Sequence, residues 1–207
     1  MDKKTMGITC VLLANLTGMG SSVLPKKLTL FSRPHDKFYE IDKNKLFRSK
    51  QLSPRKLASY IKRFNIKTII NLRGENPHEA WWRREQKIVS QLGINFYNIA
   101  MSARRLPYKK DLLLLLHLYN HAPRPILIHC NGGADRTGEA AALWMLDQQN
   151  KSKKEALKQL TFRYGHVSWR NKKKRQFIKM WLGRSWAQSQ YFYLSSNTLP
   201  FCDSSAP

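Results

Sequence analysis

The sequence predicts an α/β fold with a central, mostly parallel sheet flanked by helices. Short apolar runs alternate with longer stretches whose apolar residues recur at helical spacing, which is the pattern of strands covered on both faces by helices. A length of 207 residues favours one domain with short extensions. A composition of 42% hydrophobic and 11% aromatic residues supplies one sizeable core and excludes a disordered or low-complexity chain.

The elements follow in order. Met1-Asp2-Lys3-Lys4, a mostly apolar stretch from Met6 to Met19, and small residues around Gly20-Ser21 read as a signal peptide or N-terminal anchor over residues 1–22. The apolar run is short of the ~20 residues that span a bilayer. Export to a periplasm or medium, or membrane association, is the expectation, with a cytoplasmic protein as the alternative. Residues 36–184 are expected to form the folded domain. Leu46-Phe47 marks a strand end, Ser53-Pro54 starts a helix carrying Leu57, Tyr60, Ile61 and Phe64, and Lys67–Leu72 is a buried strand. Pro77–Leu92 is helical and stops at Gly93, Asn95–Ala100 is a strand, and Asp111–Tyr119 is an apolar helix. Pro125–Cys130 is a strand, followed by a glycine-containing turn and a helix over Arg136–Gln149. Ser152 and Glu155 have capping-box spacing and predict a helix to about Arg163. A last helix covers Asn171–Leu182, and residues 185–207 are expected to be a flexible tail.

Lys+Arg 37 against Asp+Glu 13 gives a net charge of +24, so the surface field attracts nucleic acid, anionic lipid or phosphorylated substrates. Cys10, Cys130 and Cys202 are too few and too scattered for a disulfide framework or a zinc knuckle. Cys10 lies in the leader and receives no chemistry.

The informative segment is His129-Cys130-Asn131-Gly132-Gly133-Ala134-Asp135-Arg136-Thr137-Gly138, between the strand and the helix. A strand ending in Cys and a helix starting near Arg create a tight loop whose backbone N–H groups, from Asn131, Gly132, Gly133 and Ala134 through Thr137, converge on one anion. Glycine permits the dihedrals such a loop demands. The helix N-terminus and Arg136 favour thiolate over thiol, which makes Cys130 a nucleophile at neutral pH. Arg136 offers a planar fork to two phosphate oxygens.

This stretch resembles the signature of the cysteine-dependent protein tyrosine and dual-specificity phosphatases: His-Cys, five residues, Arg, then Ser or Thr. Leu46-Phe47-Arg48-Ser49, Asn71-Leu72-Arg73-Gly74-Glu75 and Arg163-Tyr164-Gly165-His166 look like the small bacterial members. The resemblance implies a dual-specificity phosphatase-like fold and hydrolysis of phosphate monoesters through a phosphocysteine on Cys130, with no metal and no cofactor. His129 would set the loop, and the Thr137 hydroxyl would help the thiolate leave.

The first step also needs an acid at the leaving oxygen. In the family this is usually an Asp on a loop before the Cys, but the corresponding stretch, residues 100–107, holds Arg104 and Arg105 and no carboxylate. Asp135 is the expected substitute, as in myotubularin-like and Sac-like phosphatases; hydrogen bonding to the loop or pairing with a basic neighbour is its other reading. Asp111 is the alternative acid, although it also suits the start of a helix. Arg104 and Arg105 border the pocket and favour a polyanion. Arg48 and Arg73 follow strands and either reach the same edge or serve as ion-pair partners, Arg73 with Glu75. From Lys151 to Arg184 twelve basic residues face one acid, Glu155. With Trp169, Phe177, Trp181 and Trp186 interleaved, they suggest a surface for an anionic bilayer or a phosphorylated partner.

A protein tyrosine or dual-specificity phosphatase is the first functional expectation and a phosphoinositide or other phospholipid phosphatase the alternative. A non-catalytic phosphate- or nucleic-acid-binding protein is a distant third, since Cys130 and Arg136 are intact and no nucleic-acid-binding motif occurs.

Overall fold

The computed structural model describes residues 35–192. The expected leader, Cys10 and Cys202 lie outside these residues. Five strands form one sheet in the order β1-β2-β5-β3-β4. They are β1 Tyr39–Asp42, β2 Leu46–Lys50, β3 Thr68–Asn71, β4 Asn95–Asn98 and β5 Ile126–Cys130. Only the β1–β2 pair is antiparallel; β2–β5, β5–β3 and β3–β4 are parallel. The mostly parallel sheet matches the expected class, and β1, which the sequence pattern did not mark, adds an antiparallel edge.

Alternation along the strands splits the core into two layers. Phe47, Ile69 and Leu127 face Leu57, Tyr60 and Ile61 of α1 (Pro54–Phe64) and Val89 of α2 (Ala80–Gln91). Leu46, Ile70, Ile126 and Ile128 face α3 (Lys109–His121), α4 (Asp135–Asp147) and α6 (Lys172–Met180). Every residue of β5 is buried, because it is the middle strand and is covered on both sides. Its carboxyl end, where the chain passes into α4, is the position at which open parallel sheets bind ligands.

The Ser152–Glu155 capping box forms, but its helix α5 spans only Lys153–Ala156 and gives way to 3-10 turns at Leu157–Gln159 and Phe162–Tyr164. The helix expected to run to Arg163 is broken by the approach of this segment to α4. A Cβ on Gly138 would lie 2.7 Å from Leu160 Cδ2 and 2.8 Å from the Gln159 carbonyl oxygen. The released carbonyls of Leu157 and Leu160 accept from Arg175 Nη1 at 3.3 and 2.7 Å.

The C-terminal basic segment departs from expectation in two ways. Phe177 and Trp181 are buried in the core rather than displayed between the lysines, whereas Trp169 is exposed. Lys174 is fully buried, its Nζ 2.6 Å from Glu139 Oε2. Residues 185–189, placed in a flexible tail by the sequence reading, belong to helix α7 (Arg184–Ser189), which buries Ala187 and, beyond it, Tyr191. Arg184 fixes this helix to α3 and α4 by donating to Asp147 and to the Leu116 carbonyl.

Burial pushes the Glu139 carboxyl up to about 7, against the attraction of Lys174. Removing one member of a buried pair strands the other charge, which costs roughly 3–5 kcal/mol. Lys174→Met is therefore expected to lose stability on that scale in urea unfolding, and Lys174→Met combined with Glu139→Gln to recover most of it.

Candidate active site

The site is built at the end of β5. Cys130 is 3% exposed and opposes Lys50 of β2; one residue earlier, His129 lies between Ser49 of β2 and Asn71 of β3. The loop that follows is held from outside by its carbonyls. Asn131 O accepts from the backbone N–H of Gln51 at 3.1 Å, and Ala134 O accepts from Gly138 N at 2.8 Å. Gly132 O accepts from Lys37 Nζ at 3.0 Å and Gly133 O from Arg48 Nη2 at 2.8 Å. With four successive carbonyls turned outward, the N–H groups of the loop and of the first turn of α4 are left to face an anion. Gly133 has φ of +63°, and a Cβ there would meet the backbone of Ser49 and Lys50 at 2.7–2.8 Å. Only glycine allows the loop to lie that close to β2.

Arg136, in the first turn of α4, donates through Nη1 to Leu72 O at 3.3 Å, while its buried Nε and the buried Thr137 Oγ1 have no protein partner among the described residues. Unpartnered buried donors at the mouth of an N–H nest suit the oxygens of a bound phosphate.

A polar chain fixes the other side of the cysteine. His129 Nε2 lies 2.8 Å from Glu85 Oε1, both side chains almost wholly buried. Glu85 Oε2 accepts from Gln51 Nε2 at 2.7 Å, and Gln51 Oε1 accepts from Arg73 Nη1 at 3.0 Å. The Arg73 guanidinium stacks on Trp81 at 3.3 Å, so it is not the expected partner of Glu75. Burial raises the Glu85 carboxyl, but His129, Gln51 and Arg73 together hold it below the ordinary range, as an anion. Burial lowers Arg73, and the charge of Arg136 lowers it further. Glu85 and Gln51 were missed in the sequence. The one signal for Glu85 was its place four residues before Val89 on the buried face of α2.

Arg48 is fully buried and joins no carboxylate; it bonds Gly133 O and also the Gln159 carbonyl and side chain, beneath the ring of Tyr164. Arg104 and Arg105 part company. Arg104 lines a cavity of about 610 Å³ with Ala103, Asp135, Gly165, Val167, Arg170 and Asn171, whereas Arg105 lies over Tyr108 at 5.4 Å. Both loop N–H groups bond Ser102 Oγ, which shapes the turn.

The two candidate acids differ. Asp135 Oδ1 lies 2.6 Å from Nδ1 of His166, a buried histidine that the sequence reading did not place in the site. Burial raises Asp135, but hydrogen bonds from His166 and Asn171 and the charges of His166 and Lys174 outweigh it and hold the carboxyl below its usual range. Asp111 is raised by burial, with Lys110 opposing. Neither carboxylate hydrogen-bonds to Cys130 or Arg136.

Residues 26–179 match the model of the family described as DSP-PTPase phosphatase fused to NAD+ kinase. The chain belongs to this family. The match makes it a cysteine-dependent phosphatase of the dual-specificity type. The catalytic core of the PP-IP phosphatase SIW14 from S. cerevisiae, solved in complex with citrate, aligns with a TM-score of 0.58 and 26% identity over 70% of this chain and 85% of that one. TpbA from P. aeruginosa, solved in complex with pTyr, has a TM-score of 0.57 and 21% identity over 71% of this chain and 85% of its own. Tk-PTP in its active form shares the fold at a TM-score of 0.53 and 21% identity, over 69% and 93% of the two chains. No curated protein gives a significant match.

The loop geometry makes two glycine substitutions informative. A Cβ on Gly132 meets nothing within 4 Å, while one on Gly133 meets backbone. Gly132→Ala should keep the rise in melting temperature that phosphate gives the wild type by binding the folded state. Gly133→Ala should lose that rise and also at least ~1 kcal/mol of stability from its left-handed conformation. A second test concerns Asp135. If its carboxylate accepts the proton of the hydrolytic water, Asp135→Asn should slow aryl and alkyl phosphates to a similar degree, by ~10²-fold or more. A loss confined to alkyl phosphates would make it the acid.

Proposed function

We propose that this phosphatase acts on a phosphoryl group of a polyanionic substrate whose leaving group departs readily, with an inositol bearing a diphosphate group beside further phosphates as the best-fitting class. The observation that carries the reading is the cavity beside Asp135. Arg104 and Arg170 line it, and neither side chain has a hydrogen-bond or ion-pair partner among the described residues. Two unpaired guanidinium groups beside the phosphate loop favour further anionic groups on the same molecule. The absence of a carboxylate from residues 100–107 supports the same class. A phosphoryl or phenolic leaving group is stable as an anion and needs little protonation, whereas an alkoxide depends on the acid.

In this reading Cys130 Sγ attacks phosphorus in line with the leaving oxygen, and the bond to that oxygen breaks as the S–P bond forms. The loop N–H groups and Arg136 hold the three equatorial oxygens throughout. Water then attacks the phosphocysteine and the S–P bond breaks, with Asp135 as the acceptor of the water's proton and the Thr137 hydroxyl donating toward the departing sulfur. SIW14 is a PP-IP phosphatase, which supports the class. The second reading is phosphotyrosine in protein, which the TpbA complex with pTyr favours and which also has a good leaving group.

A panel of inositol pyrophosphate, phosphotyrosine peptide and phosphoinositide vesicles separates the readings. The expected preference is for the soluble inositol pyrophosphate. Arg104→Ala and Arg170→Ala should each raise its KM about three- to tenfold while leaving a small aryl phosphate unaffected. Preference for the peptide, with both variants silent, would install the second reading, and preference for vesicles the lipid one. Cys130→Ser should abolish turnover on every substrate, and Arg136→Lys should lower it by ~10²-fold or more, because a point charge does not replace the bidentate fork.

A further inference from the structure

Arg48 is a buried cation without a carboxylate. Its guanidinium is 0% exposed, and all its hydrogen-bond partners are neutral: Gly133 O at 2.8 Å, Gln159 O at 3.1 Å and Gln159 Oε1 at 2.7 Å, with the Tyr164 ring 4.0 Å from its centre. Burial lowers it to about 10, so it stays charged at neutral pH, and Tyr164, Cys130 and Tyr39 are the groups whose charge would favour that state. A charge removed from water is normally compensated by an opposite one. Of the three neighbours, only a thiol near a phosphate nest is poised to supply that charge.

We propose that Arg48 is a positioning residue with two linked tasks: its fork turns the Gly133 carbonyl out of the phosphate nest, and its unbalanced charge stabilises the Cys130 thiolate from beneath the loop. The inference rests on the reading of Cys130 as the nucleophile. It differs from the part played by Arg136, which approaches from α4 and reaches toward the bound phosphate. Three other basic side chains lie nearby; Lys50, opposite Cys130 on β2, is only partly buried. Arg73 lies beyond β3 and is tied to Gln51 and Trp81, and His129 points to Glu85 of α2. Arg48 is therefore the buried cation on the β2 side of the sulfur.

The geometry also provides a way to silence the charge without removing the side chain. Gln159 Oε1 sits 2.7 Å from Arg48 Nη1, so Gln159→Glu places a carboxylate of the same shape against the guanidinium. Alkylation of Cys130 by iodoacetamide, followed by mass spectrometry across pH, reads the thiolate directly and needs no turnover. For Gln159→Glu and Arg48→Gln the midpoint of the alkylation profile should move upward by roughly one pH unit or more, whereas Arg48→Lys should stay near the wild type. Should Arg48→Gln fail to fold, Gln159→Glu decides alone. A Gln159→Glu profile that superimposes on the wild type would overturn the proposal and leave the phosphatase reading intact. A wild-type Cys130 that resists alkylation at neutral pH would overturn both.

Discussion

The outward tethering of the phosphate loop is the constraint on which the rest of the structure depends. A run of N–H groups converges on an anion only if the alternate peptide dipoles are held away from it, and in a short loop nothing local does this. Here the donors come from far along the chain: Lys37 and Arg48 reach Gly132 and Gly133, and Gln51 reaches Asn131. The mostly parallel sheet exists, from the standpoint of the site, to bring β2 alongside β5 so that these donors and the loop meet.

Charge in the site is arranged in layers around that loop. Arg136 and the start of α4 lie on one side, Arg48 on another, and Arg73 beyond the end of β3. Among the described residues the buried carboxylate of this inner layer is Glu85, whose hydrogen-bonding partners are His129 and Gln51. The result is a cluster of arginines around the loop, a setting that attracts anions. On the far side of α4, Asp135 with His166 and Glu139 with Lys174 anchor the helix to the segment carrying Arg170 and Asn171. That anchoring ties the cavity lined by Arg104 and Arg170 to the loop after β5.

How much of this was legible in the sequence depends on how local the signal is. His129 to Gly138 specified a strand, a nest and a helix in consecutive residues, so the fold class and the position of Cys130 could be read directly. The helices α1 to α4 announced themselves by apolar spacing and were placed to within a few residues. The 3-10 turns after Ala156 were hidden because helix propensity there is overridden by the contact between Gly138 and Leu160. Helix α7 was hidden because its burial rests on distant partners, Asp147 and Leu116 for Arg184. Glu85, Gln51, Gln159 and His166 were illegible for the same reason. Each is an ordinary polar residue until the sheet brings it to the loop. The partner of Asp135 was equally non-local: a basic neighbour was among its expected readings, and the fold supplies His166.

The central claim is that phosphate passes through Cys130. Its most direct test is to quench the enzyme in alkaline denaturant during turnover of a radiolabelled aryl phosphate and to locate the label by peptide mapping. The account predicts a phosphoryl group on the peptide containing Cys130 that is stable in alkali and released in mild acid, appearing within the first turnover. Label on a different residue, or hydrolysis at full rate with no labelled enzyme under conditions that trap a thiophosphate ester, would contradict it.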